Sequence, residues 1–242
     1  MKAMILAAGM GTRLHPFTLT KPKALVEVKG IPMLEIVIRR LIKYGFTDVV
    51  VNVHHFADQI VGFLDRNHNF GISITISDET DLLLDTGGGL LKAKNHLLDG
   101  QPFLVHNVDI LTDFDLTELY NFHLKHQPLA TLAVKDRSTS RSFLINEKQE
   151  LSGWRNNQTG KTIIAKGNEK ELTPIAFSCV HVMSPNIFNY ITETGVFSLT
   201  DTYLRLAPNH RILTWSHNKN YWFDLGRVAN LKEAEEFLDK NK

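Results

Sequence analysis

Two glycines, an arginine and a lysine lie close together near the N-terminus, at the end of a short apolar run. The stretch reads Met4-Ile5-Leu6-Ala7-Ala8-Gly9-Met10-Gly11-Thr12-Arg13-Leu14, and Lys21-Pro22-Lys23 follows after a gap. An apolar strand that runs into glycines can cradle phosphate. Successive backbone N–H groups point into one concavity there, and no Cβ blocks the anion. Arg13 adds a fork of donors suited to phosphate oxygens, and Lys23 adds a point charge. Glycines alone would equally suit an ordinary tight turn; the two cations decide for phosphate. Spacing then excludes two familiar versions of such a site. A dinucleotide fingerprint needs a third glycine where Leu14 stands, and an acidic residue about 20 residues further on. The next strand-like run begins only near Asp48. A P-loop needs a glycine where Arg155 stands, ahead of Gly160-Lys161-Thr162.

Carboxylates supply the second chemical signal. Asp109 ends the apolar run Phe103–Val108, and Asp224 lies late in the chain within Trp222-Phe223-Asp224-Leu225-Gly226. Ligands gather at the carboxyl edge of a parallel sheet, and two carboxylates from different strand ends suit Mg²⁺ bridging phosphates. Taken singly, each aspartate also fits a turn or a helix cap. A third signal is Asp85-Thr86-Gly87-Gly88-Gly89, preceded by Ser77-Asp78-Glu79. Three glycines between a strand and a helix start could be a flexible connector, or could let a nucleobase lie against bare backbone. A carboxylate such as Glu79 accepts hydrogen bonds only, so facing a base it would favour uracil, thymine or guanine, which present a ring N–H. His54, His55 and His106 match no zinc spacing.

Elements of regular structure must bring these residues together. Lys2–Ala7, Asp48–His54 and Phe103–Val108 read as buried strands, and Leu129–Val134 as another strand. The alternation in Ile72–Ile76 predicts a strand with one wetter face. Helical spacing recurs from Ile31 to Ile42 with Gly45 as a stop, over Ala57–Asn67, and over Gly89–Leu98. Asp115-Leu116-Thr117-Glu118 resembles a capping box for a helix to about His126. Strands alternating with helices imply a mostly parallel sheet with right-handed crossovers. After Lys135 the texture changes. Phe143–Ile145 and Thr162–Ala165 flank Gly153, Asn156-Asn157 and Gly160 and suggest a hairpin. Ile175–Met183, Ile212–Ser216 and Tyr221–Leu225 read as strands, and Pro185–Ile191, Leu199–Ala207 and Asn230–Asp239 as helices. The expected organisation is one domain over 1–242. Its nucleotide-binding core spans about 1–135 and 216–242, and a substrate lobe is inserted at about 136–215.

Composition bounds the function. The 242 residues are 43% apolar, enough for one large α/β core. A net charge of +1 supplies no basic field for nucleic acid. Cys179 is the only cysteine, which excludes an internal disulfide and fits a reducing compartment. No run approaches the roughly 18 apolar residues of a membrane span, and Arg13 and Lys21 follow the short N-terminal run too soon for a targeting segment. A cytoplasmic, soluble protein with no membrane or nucleic-acid partner is expected. An apolar stripe on the closing helix suits either core or interface, so oligomeric state is left open.

Ala7-Ala8-Gly9-Met10-Gly11-Thr12-Arg13-Leu14-His15-Pro16, followed by Pro22-Lys23-Ala24-Leu25-Val26-Glu27-Val28, resembles the two-part signature of sugar-1-phosphate nucleotidyltransferases. Ala24 and Glu27 stand where that family usually has prolines. Asn107-Val108-Asp109 resembles its first metal motif, with Val108 in place of a glycine. Trp222-Phe223-Asp224-Leu225-Gly226 resembles its second, with Arg227 replacing a threonine that would cap the next helix. The resemblance implies a Rossmann-like mixed, mostly parallel sheet with helices on both faces and an inserted sugar-binding lobe. It implies an Mg²⁺-dependent enzyme joining an NTP and a sugar-1-phosphate to give an NDP-sugar and pyrophosphate.

Residue by residue, the resemblance assigns Arg13, Lys23 and Asp109 to catalysis, and Asp109 and Asp224 to Mg²⁺. Leu6, Ala7, Ala8, Gly9, Gly11, Thr12, Glu79, Gly87 and Gly88 go to the nucleotide. Asn107, Glu169 (or Glu171), Ser178 and Cys179 go to the sugar, Cys179 standing where the family usually has glycine. The acidic residue before three glycines and the compact length look most like N-acetylmuramate-1-phosphate uridylyltransferases of cell-wall recycling. Mannose- or heptose-1-phosphate guanylyltransferases, using GTP rather than UTP, share the pattern. A catalytically silent sugar-nucleotide-binding module is the alternative of a different class, and the presence of all four charged residues argues against it.

Overall fold

The computed structural model describes residues 1–241. Strand β1 (Lys2–Leu6) leads through the glycine loop to a two-residue hairpin of β2 (Glu27–Val28) and β3 (Ile31–Pro32), then helix α1 (Met33–Lys43). The expected stop is in place: Gly45 takes a left-handed φ of 78° and Phe46 N–H returns to Leu41 O at 2.9 Å. Then come β4 (Asp48–Val53), α2 (Ala57–Arg66), β5 (Ser73–Asp78), α3 (Asp85–Lys92), α4 (Lys94–Leu97), β6 (Phe103–Asn107) and β7 (Ile110–Thr112). Helix α5 (Leu116–His126) starts where the capping pattern placed it: Asp115 Oδ1 accepts from Thr117 N–H and Glu118 N–H at 2.6 and 3.2 Å. The chain continues through β8 (Ala130–Lys135), β9 (Arg141–Ile145), β10 (Leu151–Asn156), β11 (Thr162–Ile164), β12 (Thr173–Met183), α6 (Leu199–Leu206), β13 (Ile212–Ser216), β14 (Trp222–Asp224) and α7 (Val228–Lys240).

The fold is a mixed α/β sheet of ten strands. On one side β6, β1, β4 and β5 are parallel neighbours; β12 joins β6 antiparallel and carries β9, β10 and β11 beyond it, with β8 and β13 branching from β12. One continuous sheet therefore underlies both the parallel half and the antiparallel lobe, and β12 is the strand common to both.

Successive residues of the central strands enter opposite cores, as period-two alternation requires. Ala3, Ile5, Val49 and Val51 pack with α1, α2, α5 and α7 residues such as Ile38, Ile60, Leu119 and Leu231. Met4, Val50, Phe103 and Val105 pack with Leu90, Leu97, Tyr203 and Leu206 on the other face. Each such aliphatic side chain gains about 1.5–3 kcal/mol from burial, and coverage on both faces explains the unbroken apolar runs.

Two local expectations are corrected. The triple glycine is not a loop: α3 begins at Asp85, so Gly87, Gly88 and Gly89 form its first turns. The lobe is not a hairpin of the two apolar pieces, because Leu151–Asn156 forms β10 between them and pairs with both β9 and β11. Gly153 fits that central place because a Cβ there would lie 2.5 Å from Ile163 O.

Candidate active site

Loops at the carboxyl ends of the parallel strands line one cavity of about 440 Å³. Its wall includes Leu6, Ala8 and Gly9 at the end of β1, then Arg13, Lys23, Asn107 and Asp109. Seven residues expected from sequence thus meet in one place. A Cβ on Gly9 would have nothing within 4 Å, which leaves an open approach for an anion. Gly11 has a left-handed φ of 66°, and a Cβ on it would lie 2.9 Å from Lys23 Cβ. Its smallness lets the lysine stem pass against the loop.

Asp109 lies in the tight turn between β6 and β7, and Lys23 Nζ forms an ion pair with its carboxylate; the two side chains are only 12% and 11% exposed. The main chain of Asp109 also holds β14 in place, its carbonyl accepting from Leu225 N–H at 2.8 Å. That bond and the Asp224–Ile110 register bring the second carboxylate to the first. The position a Cβ on Gly226 would take lies 2.8 Å from Asp224 Oδ1, 3.1 Å from Arg13 Nη2 and 3.2 Å from Asp109 Oδ2. Two carboxylates and a guanidinium therefore converge on one glycine. Asp224 is further held by Gly226 N–H on Oδ1 at 2.8 Å and Asn230 Nδ2 on its carbonyl at 2.7 Å.

A second cavity, about 580 Å³, opens beside Asp224 in the lobe. Phe143, Trp154, Ile163 and Phe177 line it together with Trp222, Cys179 and residues of α6. Asp85, with a left-handed φ of 59°, lines both cavities. Cys179 also has a left-handed backbone, φ 57°, at a register shift in β12, so a side chain occupies a conformation that favours glycine. Burial, then Asp109 and Asp224, push its thiol up to about 12. The sulfur stays protonated near neutral pH and is no nucleophile there. Arg137 stacks on Trp222, its Cζ 3.6 Å from the ring centroid, and donates from Nη2 to Phe177 O at 2.9 Å. Burial lowers its pKa, and its buried Nε has no partner among the described residues.

Other residues expected at the site are placed away from the two cavity walls or are engaged within the protein. Glu79 is 0% exposed and outside the cavity wall. Its carboxylate accepts from Asn52 Nδ2 at 2.7 Å and Leu84 N–H at 3.1 Å, so it faces protein donors, not a base. Gly89 makes room for it, since a Cβ there would lie 2.6 Å from Glu79 Oε1. Gly87 and Gly88 are buried against Phe197 and Gly195, where added Cβ atoms would fall 2.3 Å from their neighbours. The Ala7 N–H is taken by Asn52 Oδ1 at 2.6 Å and is closed to phosphate. Ala7, Gly11 and Thr12 lie outside the cavity wall. Ser178 is fully buried, its Oγ bonded to His217 Nε2 at 2.7 Å, and Glu169 is exposed and paired with Arg155 at 2.8 Å; neither lines the lobe cavity. The missing cap is confirmed: Arg227 provides no side-chain bond to the start of α7.

Asn52 is the residue that sequence reasoning missed. It lines the nucleotide-side cavity and ties the end of β1 to Glu79. One signal was available: a lone amide inside Val49-Val50-Val51-Asn52-Val53 must find partners when the strand is buried.

The model of the nucleotidyl transferase family matches residues 2–241. The N-acetylmuramate alpha-1-phosphate uridylyltransferase of Neisseria meningitidis is 32% identical over 236 residues, which cover 97% of each chain. The mannose-1-phosphate guanyltransferase of Yarrowia lipolytica is 31% identical over 94% of this chain, which spans only 61% of that protein. Among solved structures, HddC from Yersinia pseudotuberculosis complexed with GMP-PN superposes with a TM-score of 0.77, at 21% identity and with 98% and 99% of the two chains covered. That likeness supports the shared fold.

Proposed function

The chain belongs to the nucleotidyl transferase family, and from that premise we propose that it transfers a uridylyl group from UTP to N-acetylmuramate 1-phosphate, releasing pyrophosphate. Sugar-1-phosphate nucleotidyl transfer is the reaction class of its relatives. The observation that carries the finer choice is the match to the Neisseria uridylyltransferase, at 32% identity over 97% of this chain.

In this reading a sugar phosphate oxygen attacks the α-phosphorus in line while the β,γ-pyrophosphate leaves. Little covalent work falls to the protein; positioning and charge neutralisation carry the rate. The opening at Gly9 and the Arg13 guanidinium take the β- and γ-phosphates, and Lys23 takes the α-phosphate. Lys23 is held ready by its ion pair with Asp109 and exchanges that partner for phosphate. Asp109 and Asp224 would hold Mg²⁺, and their approach to one point fits an ion that takes one or two carboxylates beside phosphate oxygens. The ion would neutralise charge on the phosphates. Asn52 and Glu79 act at a distance, fixing the end of β1. The inserted segment of about 136–215 presents the lobe cavity to the sugar, and the remainder of the chain holds the nucleotide.

Pyrophosphate release tests the assignment, using each of UTP, GTP, dTTP, CTP and ATP with Mg²⁺ and a panel of sugar 1-phosphates. UTP with N-acetylmuramate 1-phosphate is expected to give the highest kcat/KM. A higher value for GTP with mannose 1-phosphate would replace the proposal with the guanylyl reading, and no turnover with any pair would leave a binding module.

A further inference from the structure

The lobe cavity is lined by cations that no carboxylate of the described residues pairs. Arg137, Arg141 and Lys161 all line it, and none forms an ion pair with a carboxylate among the described residues. Elsewhere in the lobe Arg155 pairs with Glu169, Arg205 with Glu193, and Lys166 and Arg211 with Glu150, while Lys148 and Lys170 lie outside the cavity wall. Sheet register explains how two of the three come together. Asn156 pairs with Arg141 of β9, and its N–H bonds to Lys161 O at 2.8 Å on its other side. Arg141 and Lys161 are therefore in one row, two strands apart, or roughly 10 Å between their Cα atoms. Their long side chains project from the same face and can converge on a group between them.

The next row on that face, two residues along each strand, is Phe143, Trp154 and Ile163. An apolar floor suited to the flat face of a sugar ring thus ends at a cationic rim. Three carboxylates also line the cavity, but none forms an ion pair with Arg141 or Lys161. Asp224 is committed to the convergence at Gly226, Asp85 Oδ1 to Thr86 N–H at 2.6 Å, and Asp201 on α6 is the remaining carboxylate.

We propose that Arg141 and Lys161 form a carboxylate subsite, so that the lobe selects sugar 1-phosphates bearing a second, carboxylic anion. Arg137, stacked on Trp222 beside Asp224, serves the phosphate end of the same cavity. The inference deepens the proposed function, and rests on it for the sugar's identity: N-acetylmuramate differs from N-acetylglucosamine by a lactyl ether that ends in a carboxylate. Charge-assisted hydrogen bonds of that kind are strong enough to discriminate at least about tenfold.

Two matched pairs of sugars make the test: N-acetylmuramate against N-acetylglucosamine 1-phosphate, and glucuronate against glucose 1-phosphate. Each is measured as kcat/KM with UTP and Mg²⁺, and as binding by calorimetry. The parent protein is expected to favour the carboxylated member at least about tenfold, carried mainly by KM and weakened by salt. In the Arg141→Gln/Lys161→Gln double variant the ratio should fall to near one, whereas Lys161→Arg should retain it. No preference for the carboxylated member in either pair, or a ratio unchanged in the double variant, would overturn the subsite. Preference for glucuronate without use of N-acetylmuramate would uphold the subsite and discard the proposed substrate.

Discussion

Substituting Gly226 by alanine tests whether the convergence of Asp109, Asp224 and Arg13 is the reaction centre. The new methyl would lie 2.8 Å from Asp224 Oδ1, about 0.6 Å inside the 3.4 Å at which ordinary contact begins, and 3.1 and 3.2 Å from Arg13 Nη2 and Asp109 Oδ2. Arg13 is a long exposed side chain and can yield. Asp224 cannot do so freely, because Gly226 N–H and Asn230 Nδ2 hold its carboxylate and its carbonyl. Asp109 is tied to Lys23 and to Leu225 N–H. One carboxylate must move by several tenths of an ångström, at the cost of about one hydrogen bond, on the order of 1 kcal/mol. For a chain of this size the melting temperature should then fall by only about 2–4 °C.

Catalysis should suffer far more. Misplacement of reacting groups by about 1 Å costs about a hundredfold, so a displacement of roughly half that predicts a loss of about ten- to a hundredfold in kcat. The assay is pyrophosphate release at saturating substrates, with Mg²⁺ titrated across both proteins; the midpoint for Mg²⁺ should rise in the variant. Gly62→Ala in α2 is the control, because the nearest atom to its new methyl is the flexible end of Arg66 at 3.1 Å and helical alanine is favoured over glycine by about 0.5–1 kcal/mol. Gly226→Ala turnover within about threefold of the parent, with unchanged Mg²⁺ dependence, would refute the reasoning.

Lys23→Ala should reduce kcat by more than it raises the KM for NTP, because the charge it neutralises grows in the transition state; a pure KM effect would reduce it to a binding residue. Glu79→Gln should destabilise by about 1–3 kcal/mol, since Asn52 Nδ2 and Leu84 N–H both donate to it and an amide must turn its own NH₂ toward one of them. Nucleotide preference should not change, and relaxed choice at an unchanged melting temperature would contradict the buried placement. The pH dependence of stability follows from four buried histidines, held near 4 (His106, His123, His217) and near 3 (His181), chiefly by burial. The unfolded chain binds protons near 6.5 and the folded one does not, so their contribution is complete above about pH 6.5 and is lost as pH falls toward 4. Urea unfolding at pH 7.5, 6 and 5 should show this loss above the range where carboxylates titrate, and a flat profile there would refute it.

The parallel half of the fold was legible because strands buried on both faces must be almost continuously apolar, as Ala3–Ala7 and Val49–Val51 are. The antiparallel lobe was less so. Leu151–Asn156 contains a glycine, an arginine and an asparagine, and becomes a strand only because β9 and β11 sit on either side of it. Among the chemical residues, those whose type demands a role were placed well: Arg13, Lys23, Asp109 and Asp224 reach the two adjoining cavities. Side chains with a structural use as good as a chemical one were not. Glu79 could have read a base, yet Asn52 and Leu84 satisfy both its oxygens, and only the folded register reveals that.

The three glycines show why chain order alone could not separate these cases. Gly87 lies against Phe197 and Gly88 against Gly195, more than a hundred residues further on, whereas Gly89 lies against Glu79, ten residues before it. Each glycine permits a close approach of protein to protein, which looks the same in sequence as an approach to a ligand. Cys179 shows the converse. Its backbone keeps the left-handed geometry of a glycine position although the side chain is not glycine, so the conformation is set by the bulge in β12 and not by the residue. What the residue adds is a thiol in the lobe cavity, beside the same carboxylates that the glycine at 226 allows to converge.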